Sequence, residues 1–200
     1  MSSYEKIRKY TLQIERHPYD YDAYTDRGIA YNELGQYELA ISDFSKAIQL
    51  NPNYHFAYYS RGFAYDNLKQ YGRAIEDYNK AIQLNPYNDN ATTYLFRGCA
   101  QKNLRNYEYA ICDFDEAIKL NPNDDYAYYS RGECYQALGY NAKSPSYFRY
   151  AIRDFDEAIR LAPNDYYAYI RRGECYQVLG YNSKAQADFA KAKQLGWVKV

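Results

Sequence analysis

Apolar and polar positions along this chain follow the period of an α-helix. From Tyr37 to Leu50, residues Ala40, Ile41, Phe44, Ala47 and Ile48 fall at i, i+1, i+4, i+7 and i+8, which is one helix face. The segment before it carries Tyr24, Tyr31 and Leu34 at helical spacing, then Gly35, a residue suited to a left-handed helix end. Gly139 and Gly180 read as helix ends in the same way. Asn51-Pro52, Asn85-Pro86, Asn121-Pro122 and Ala162-Pro163 each stop a helix, because proline disfavours the helical conformation in the residue before it. No window alternates as a strand does. The pattern predicts an all-α chain built from helix pairs.

The pairs recur. Pro18, Pro52 and Pro86 stand 34 residues apart, and Pro122 and Pro163 follow after 36 and 41. Arg-Gly recurs at 27–28, 61–62, 97–98, 131–132 and 172–173. Five repeats therefore begin near Tyr21, His55, Ala91, Asp125 and Tyr166. Their first helices share Tyr24, Tyr58, Tyr94, Tyr128 and Tyr169, then Gly28, Gly62, Gly98, Gly132 and Gly173. Their second helices share Ala40, Ala74, Ala110, Ala151 and Ala185, and the rings Phe44, Tyr78, Phe114, Phe155 and Phe189. Small residues let helices approach, and aromatics fill the space beside them.

This pattern resembles the tetratricopeptide repeat. The resemblance implies a right-handed superhelical solenoid of antiparallel helix pairs, with repeats at 21–54, 55–88, 91–124, 125–165 and 166–200. Residues 1–20 read as a degenerate half repeat whose helix caps the first full one. The other end is expected to lack a polar cap, with Trp197 where a proline would stand, and so to be a truncation, a tail or a contact surface.

Two features depart from the family. Where it carries Leu, this chain has Arg27, Arg61, Arg97, Arg131 and Arg172, and each second helix carries an Asp at 43, 77, 113, 154 or 188. A buried Arg–Asp pair in each repeat explains both; an arginine row gripping an acidic ligand is the alternative. The fourth repeat also carries seven extra residues, 144–150, read either as a longer loop or added helical turn, or as a specificity loop. A two-residue insertion near Asn88 to Asn90 lengthens a turn.

Composition narrows the function. Lys+Arg and Asp+Glu are 25 each, without the basic excess that phosphate contacts require, so nucleic-acid binding is disfavoured. No signal-like or membrane-spanning stretch is present, and the four cysteines form no CxxC pair, so a reducing cytoplasm is expected. Cys99 reads as groove-facing, and Cys112, Cys134 and Cys175 as packing residues. His17 and His55 belong to no triad or ligand set, and no phosphate loop occurs. No catalytic role, metal or cofactor is expected.

The resemblance places a ligand groove on the first helices. Its expected wall comprises Asp22, Thr25, Ile29, Asn32 and Glu33, then Phe56, Tyr59, Phe63, Asp66 and Asn67, then Thr92, Leu95, Cys99, Lys102 and Asn103. Tyr126, Tyr129, Glu133 and Gln136 continue it, followed by Tyr167, Ile170, Glu174 and Gln177. Such a wall is aromatic and mildly acidic. The basic carboxylate clamp of chaperone-binding members is missing, since its first positions hold Thr25/Ile29, Tyr59/Phe63 or Leu95/Cys99. The expected function is a protein-interaction module or adaptor that binds a peptide segment or partner protein. The alternatives are a scaffold that self-associates through the C-terminal end and, less favoured, a nucleic-acid-binding repeat.

Overall fold

The computed structural model describes residues 1–85 and 90–198, and every regular element among them is a helix. The chain divides into two compact units, residues 1–100 and 101–200. The first holds α1 (Ser3–Arg16), α2 (Tyr21–Glu33), α3 (Tyr37–Leu50), α4 (His55–Asn67), α5 (Tyr71–Leu84) and α6 (Ala91–Asn103) as far as Ala100. The second holds the end of α6, then α7 (Tyr107–Leu120), α8 (Asp125–Ala142), α9 (Pro145–Leu161), α10 (Tyr166–Val178) and α11 (Asn182–Gln194). Pro86 and the insertion near Asn88, Asn90 apart, lie outside the described residues.

Short connectors fold each helix back on the one before it, and α1 to α5, and α7 to α11, pack in sequence. Glycine sets the spacing inside each pair. A Cβ at Gly28 would stand 2.7 Å from the Phe44 ring, and one at Gly62 would stand 2.9 Å from Tyr78. The second-helix ring thus rests on bare backbone of the first, and Phe44, Tyr78, Phe114 and Phe155 are wholly buried. Lys69 and Arg105 turn the first helix into the second with left-handed backbone at φ 59° and 63°, as Gly35 and Gly180 do in their repeats.

The arginines staple three helices. Arg61 donates from Nε and Nη2 to Asp77 at 2.7 and 2.8 Å, and from Nη1 to Ser45 of the preceding repeat at 3.0 Å. Arg27 holds Asp43 and Thr11 in the same way, Arg131 holds Asp154 and Asp115, and Arg172 holds Asp188 and Asp156. Arg97 reaches Asn79 at 2.6 Å. Tyr58 and Tyr65 flank the Arg61 guanidinium at 5.8 and 5.9 Å. Burial pushes the Asp77 carboxyl up, and the Arg61 guanidinium pulls against that rise. In Arg27, Arg61, Arg131 and Arg172 the bidentate edge of the guanidinium is taken by a buried Asp, which disfavours the acidic-ligand alternative.

The seven extra residues form no loop. Helix α8 runs 18 residues and α9 runs 17, against 13 for α4 and 14 for α5. The turn, with Lys143 left-handed at φ 49°, has moved outward along both helices. Gly139 is therefore a helix-interior residue, contrary to its reading as a helix end. The Phe148 ring stands 3.0 Å from where its Cβ would be, so the insertion's own aromatic fills the space that glycine leaves. Tyr147 and Tyr150 pack on Tyr135, with ring centroids 6.4 and 5.4 Å away.

The last helix, α11, carries polar residues at positions where the earlier second helices carry isoleucine. Second helices carry Ile41, Ile75, Ile111 and Ile152 one residue after the small alanine, and Ile48, Ile82, Ile118 and Ile159 seven residues later. Ile41 and Ile152 pack in clusters that include the next repeat's Ala64 and Cys175. In α11 these positions are Gln186 and Lys193, both exposed. The place of the arginine acceptors Ser45, Asn79, Asp115 and Asp156 is taken by Ala190. Gly196 turns the chain at φ 106°, and the Trp197 ring settles 6.2 Å from Phe189. Cys112 is also corrected: it is exposed, because it lies two residues after Ala110, on the outer face shared by Ser42 and Glu76.

Candidate functional site

In the first unit, the inner face of α4 carries Phe56, Tyr59, Phe63 and Asp66, which fall at i, i+3, i+7 and i+10 on one stripe. Phe56 is 38% exposed and stacks on Tyr59 with ring centroids 6.1 Å apart. Tyr59 and Phe63 lean on Phe96 of α6 at 6.3 and 5.4 Å. Between α2 and α4 the rings open on a cleft of about 430 Å³, closed on the far side by Ile29, Asn32 and Tyr37. Burial raises the Tyr59 hydroxyl and the Asp66 carboxyl above their ordinary ranges. Asn67 is exposed and donates back to the Phe63 carbonyl at 2.9 Å. Leu95, expected on the wall, is 9% exposed, its aliphatic surface covered in the apolar interior. Cys99, expected to face the groove, is buried as well.

In the second unit, α8 presents Tyr126, Tyr129 and Glu133, and its added turn extends the stripe to Tyr140, which is 53% exposed. Tyr126 stacks on Tyr129 at 6.5 Å, and Tyr129 packs on the core ring Phe155 at 5.8 Å. Burial, helped by the Glu133 charge, pushes the Tyr129 hydroxyl up to about 12. The carboxylates expected to make this wall acidic are paired. Lys102 meets Glu133 at 2.7 Å, and Arg171 meets Glu133 and Glu174 at 3.2 Å each. Gln136 is 5% exposed and spends its amide on Glu174 at 3.0 Å, so it does not face a ligand. Tyr167, 55% exposed, and Gln177 remain open, and Asn103 is exposed at the end of α6. Ile170, Phe189 and Trp197 line a further cleft of about 640 Å³.

Arg171, Phe96 and Tyr140 were missed in the sequence, whereas Ile29, Asn32 and Lys102 stand at expected wall positions. Position numbering pointed to the wall but not to the long side chains that reach it from adjacent turns. Among the described residues, no three His, Cys, Asp or Glu side chains gather as a metal site, and no helix is long and apolar enough to cross a membrane.

Several solved structures share this fold. YrrB matches with a TM-score of 0.78 at 22% identity, over 94% of this chain and 92% of its own. A MamA protein matches with a TM-score of 0.79 at 24% identity, over 90% and 97%. MamA from Desulfovibrio magneticus RS-1 matches with a TM-score of 0.79 at 20% identity, over 88% and 94%. No curated protein matches by sequence. Tetratricopeptide-repeat family models match residues 21–54, 55–88, 91–124 and 114–144, together more than half of the chain. With its helix pairs, glycine-seated rings and recurring alanines, the chain belongs to the tetratricopeptide-repeat family.

Proposed function

We propose that this protein is an interaction module that binds a segment of a partner protein through apolar anchors in the cleft between α2 and α4. The observation that carries the reading is Phe56. A framework ring in these repeats is buried, whereas Phe56 stands exposed beside a cleft already walled by Tyr59, Phe63 and Ile29. Rigid rings offer apolar area at little rotamer cost, which suits them as anchors. Repeat arrays commonly use such inner surfaces, and YrrB, which shares the fold, is a TPR protein with an unusual peptide-binding site. End-to-end self-association loses support from the exposed Gln186 and Lys193.

The test is selection of peptides from a random twelve-residue library on the full chain, followed by affinity measurement. Phe56→Ala should weaken the selected peptides by roughly 1–2 kcal/mol, with circular dichroism unchanged because the ring is exposed. Tyr129→Ala is a poorer probe, since that ring also packs on Phe155 and its loss disturbs the fold. Peptides that bind equally well to a folded Phe56→Ala/Phe63→Ala variant would place the site elsewhere.

A further inference from the structure

We infer that a segment bound in this cleft and running on along α4 sets a Lys or Arg side chain on Asp66, one turn beyond Phe63 on the same stripe. The inference rests on the cleft reading above and adds the chemistry of one subsite. Among the described residues of the inner walls, Asp66 is the carboxylate with a buried oxygen that has no hydrogen-bond partner. Glu33 has Lys6 at 2.7 Å, Glu133 has Lys102 at 2.7 Å, and Glu174 has Arg171 at 3.2 Å. The buried Asp43, Asp77, Asp154 and Asp188 each hold an arginine. Asp66 Oδ1 is out of reach of water and accepts no hydrogen bond, although the residue as a whole is only partly buried.

A second orphan lies nearby. Tyr78 replaces the Phe found at this place in the other four repeats. It is fully buried, its hydroxyl has no partner, and Asp66 is the charge that acts on it most. Asn32, which takes the place of Asp66 in the preceding repeat, also has a buried Oδ1 without a partner. Three of the four unpartnered buried side-chain atoms found among the described residues thus lie in the first unit, at or beneath one wall. Buried polar groups are ordinarily satisfied, and a buried carboxylate without a cation is costly.

The surroundings select the donor. Tyr59 and Phe63 precede Asp66 on the same stripe of α4 by seven and three residues, so a segment lying along the stripe passes their rings on its way to the carboxylate. Ring faces attract cations, and the long methylene stem of Lys or Arg covers apolar surface while its head reaches a charge. A small hydrated metal ion would lose its water shell to one carboxylate and gain no other charged ligand. An acidic group would be repelled.

The experiment extends the library selection. Selected peptides should share a Lys or Arg beside an apolar residue. Replacing that residue by norleucine should weaken binding about tenfold on the wild-type chain, but less than about twofold on Asp66→Asn. Asp66→Asn should melt no lower than wild type, so lost folding cannot mimic the result. Peptides that need Phe56 and Phe63 yet carry no basic residue, or lose equally on both chains, would overturn the subsite and leave the cleft. Peptides indifferent to Phe56→Ala/Phe63→Ala, or a selection that enriches nothing, would overturn both.

Discussion

Removing one arginine of the ladder isolates what it contributes. Arg61 makes two parallel bonds to Asp77 at 2.7 and 2.8 Å and a third to Ser45 at 3.0 Å, and Asp77 is 5% exposed. Arg61→Leu leaves that carboxylate buried without its counter-charge. Breaking such a pair costs roughly 3–5 kcal/mol, and the low end applies here because the Arg61 side chain keeps 20% exposure and water can enter. Arg61→Leu/Asp77→Ala removes both charges and should recover much of the loss, to within roughly 1–2 kcal/mol of wild type. Native-state hydrogen exchange over α4 and α5 reads the local opening free energy directly. The pH dependence has a definite sign. In Arg61→Leu nothing opposes the burial that raises Asp77, so the folded carboxyl binds its proton more tightly than the unfolded one. The penalty is complete above the folded pKa and is removed as pH falls toward the unfolded carboxylate range. A single variant that loses under about 1 kcal/mol, or a double variant that loses the sum of both singles, would refute the view that the pair answers a buried charge.

Two further outcomes follow. Asp66→Asn should stabilise the free chain by about 1 kcal/mol in urea unfolding, because it removes an unpaired, half-buried charge. Burial raises the folded Asp66 pKa, so that gain should shrink as pH falls through the carboxylate range; a gain constant with pH would contradict it. Gly139→Ala should cost roughly 1–2 kcal/mol because the new methyl meets the Phe148 ring. Phe148→Leu in the same chain should relieve part of that cost, whereas at Gly180, left-handed at φ 79° with nothing within 4 Å of a Cβ, no ring change nearby could.

The helix pairs were legible because their signals are local and repeated. The run from Ala40 to Ile48 and the stop at Asn51 need no tertiary knowledge, and five copies suppress accident. The Arg–Asp pairs were legible for a related reason: two residues foreign to the family keep company in every repeat. The acceptor on the preceding repeat was equally visible, as a polar residue two places after each Asp that becomes Ala190 in the last repeat. It was missed because the pattern crosses repeats. So was the polar substitution of α11, written as Gln186 and Lys193 where isoleucines stand elsewhere. The insertion was not legible locally. Leu138-Gly139-Tyr140-Asn141 and Leu179-Gly180-Tyr181-Asn182 are the same four residue types, yet one continues a helix and the other turns out of it. Phe148, nine residues beyond Gly139, has no counterpart in the fifth repeat, and the ring it places against Gly139 distinguishes the two settings.

The candidate site divides along the same line. Helix geometry fixes which positions share a face, so the stripe from Phe56 to Asp66 follows from numbering alone. Charge state does not, because it depends on how far side chains from other turns can reach. Glu133 and Asp66 looked equivalent as acidic residues on one wall. Lys102 and Arg171 are long enough to close on Glu133, and the result is a neutral chain of charges across α6, α8 and α10. Asp66 shares its stripe of α4 with Phe56, Tyr59 and Phe63, which carry no cation, and its buried oxygen has no partner. The same residue class therefore strengthens the fold in one unit and strains it in the other, and a carboxylate that weakens the free protein is where an arriving cation gains most.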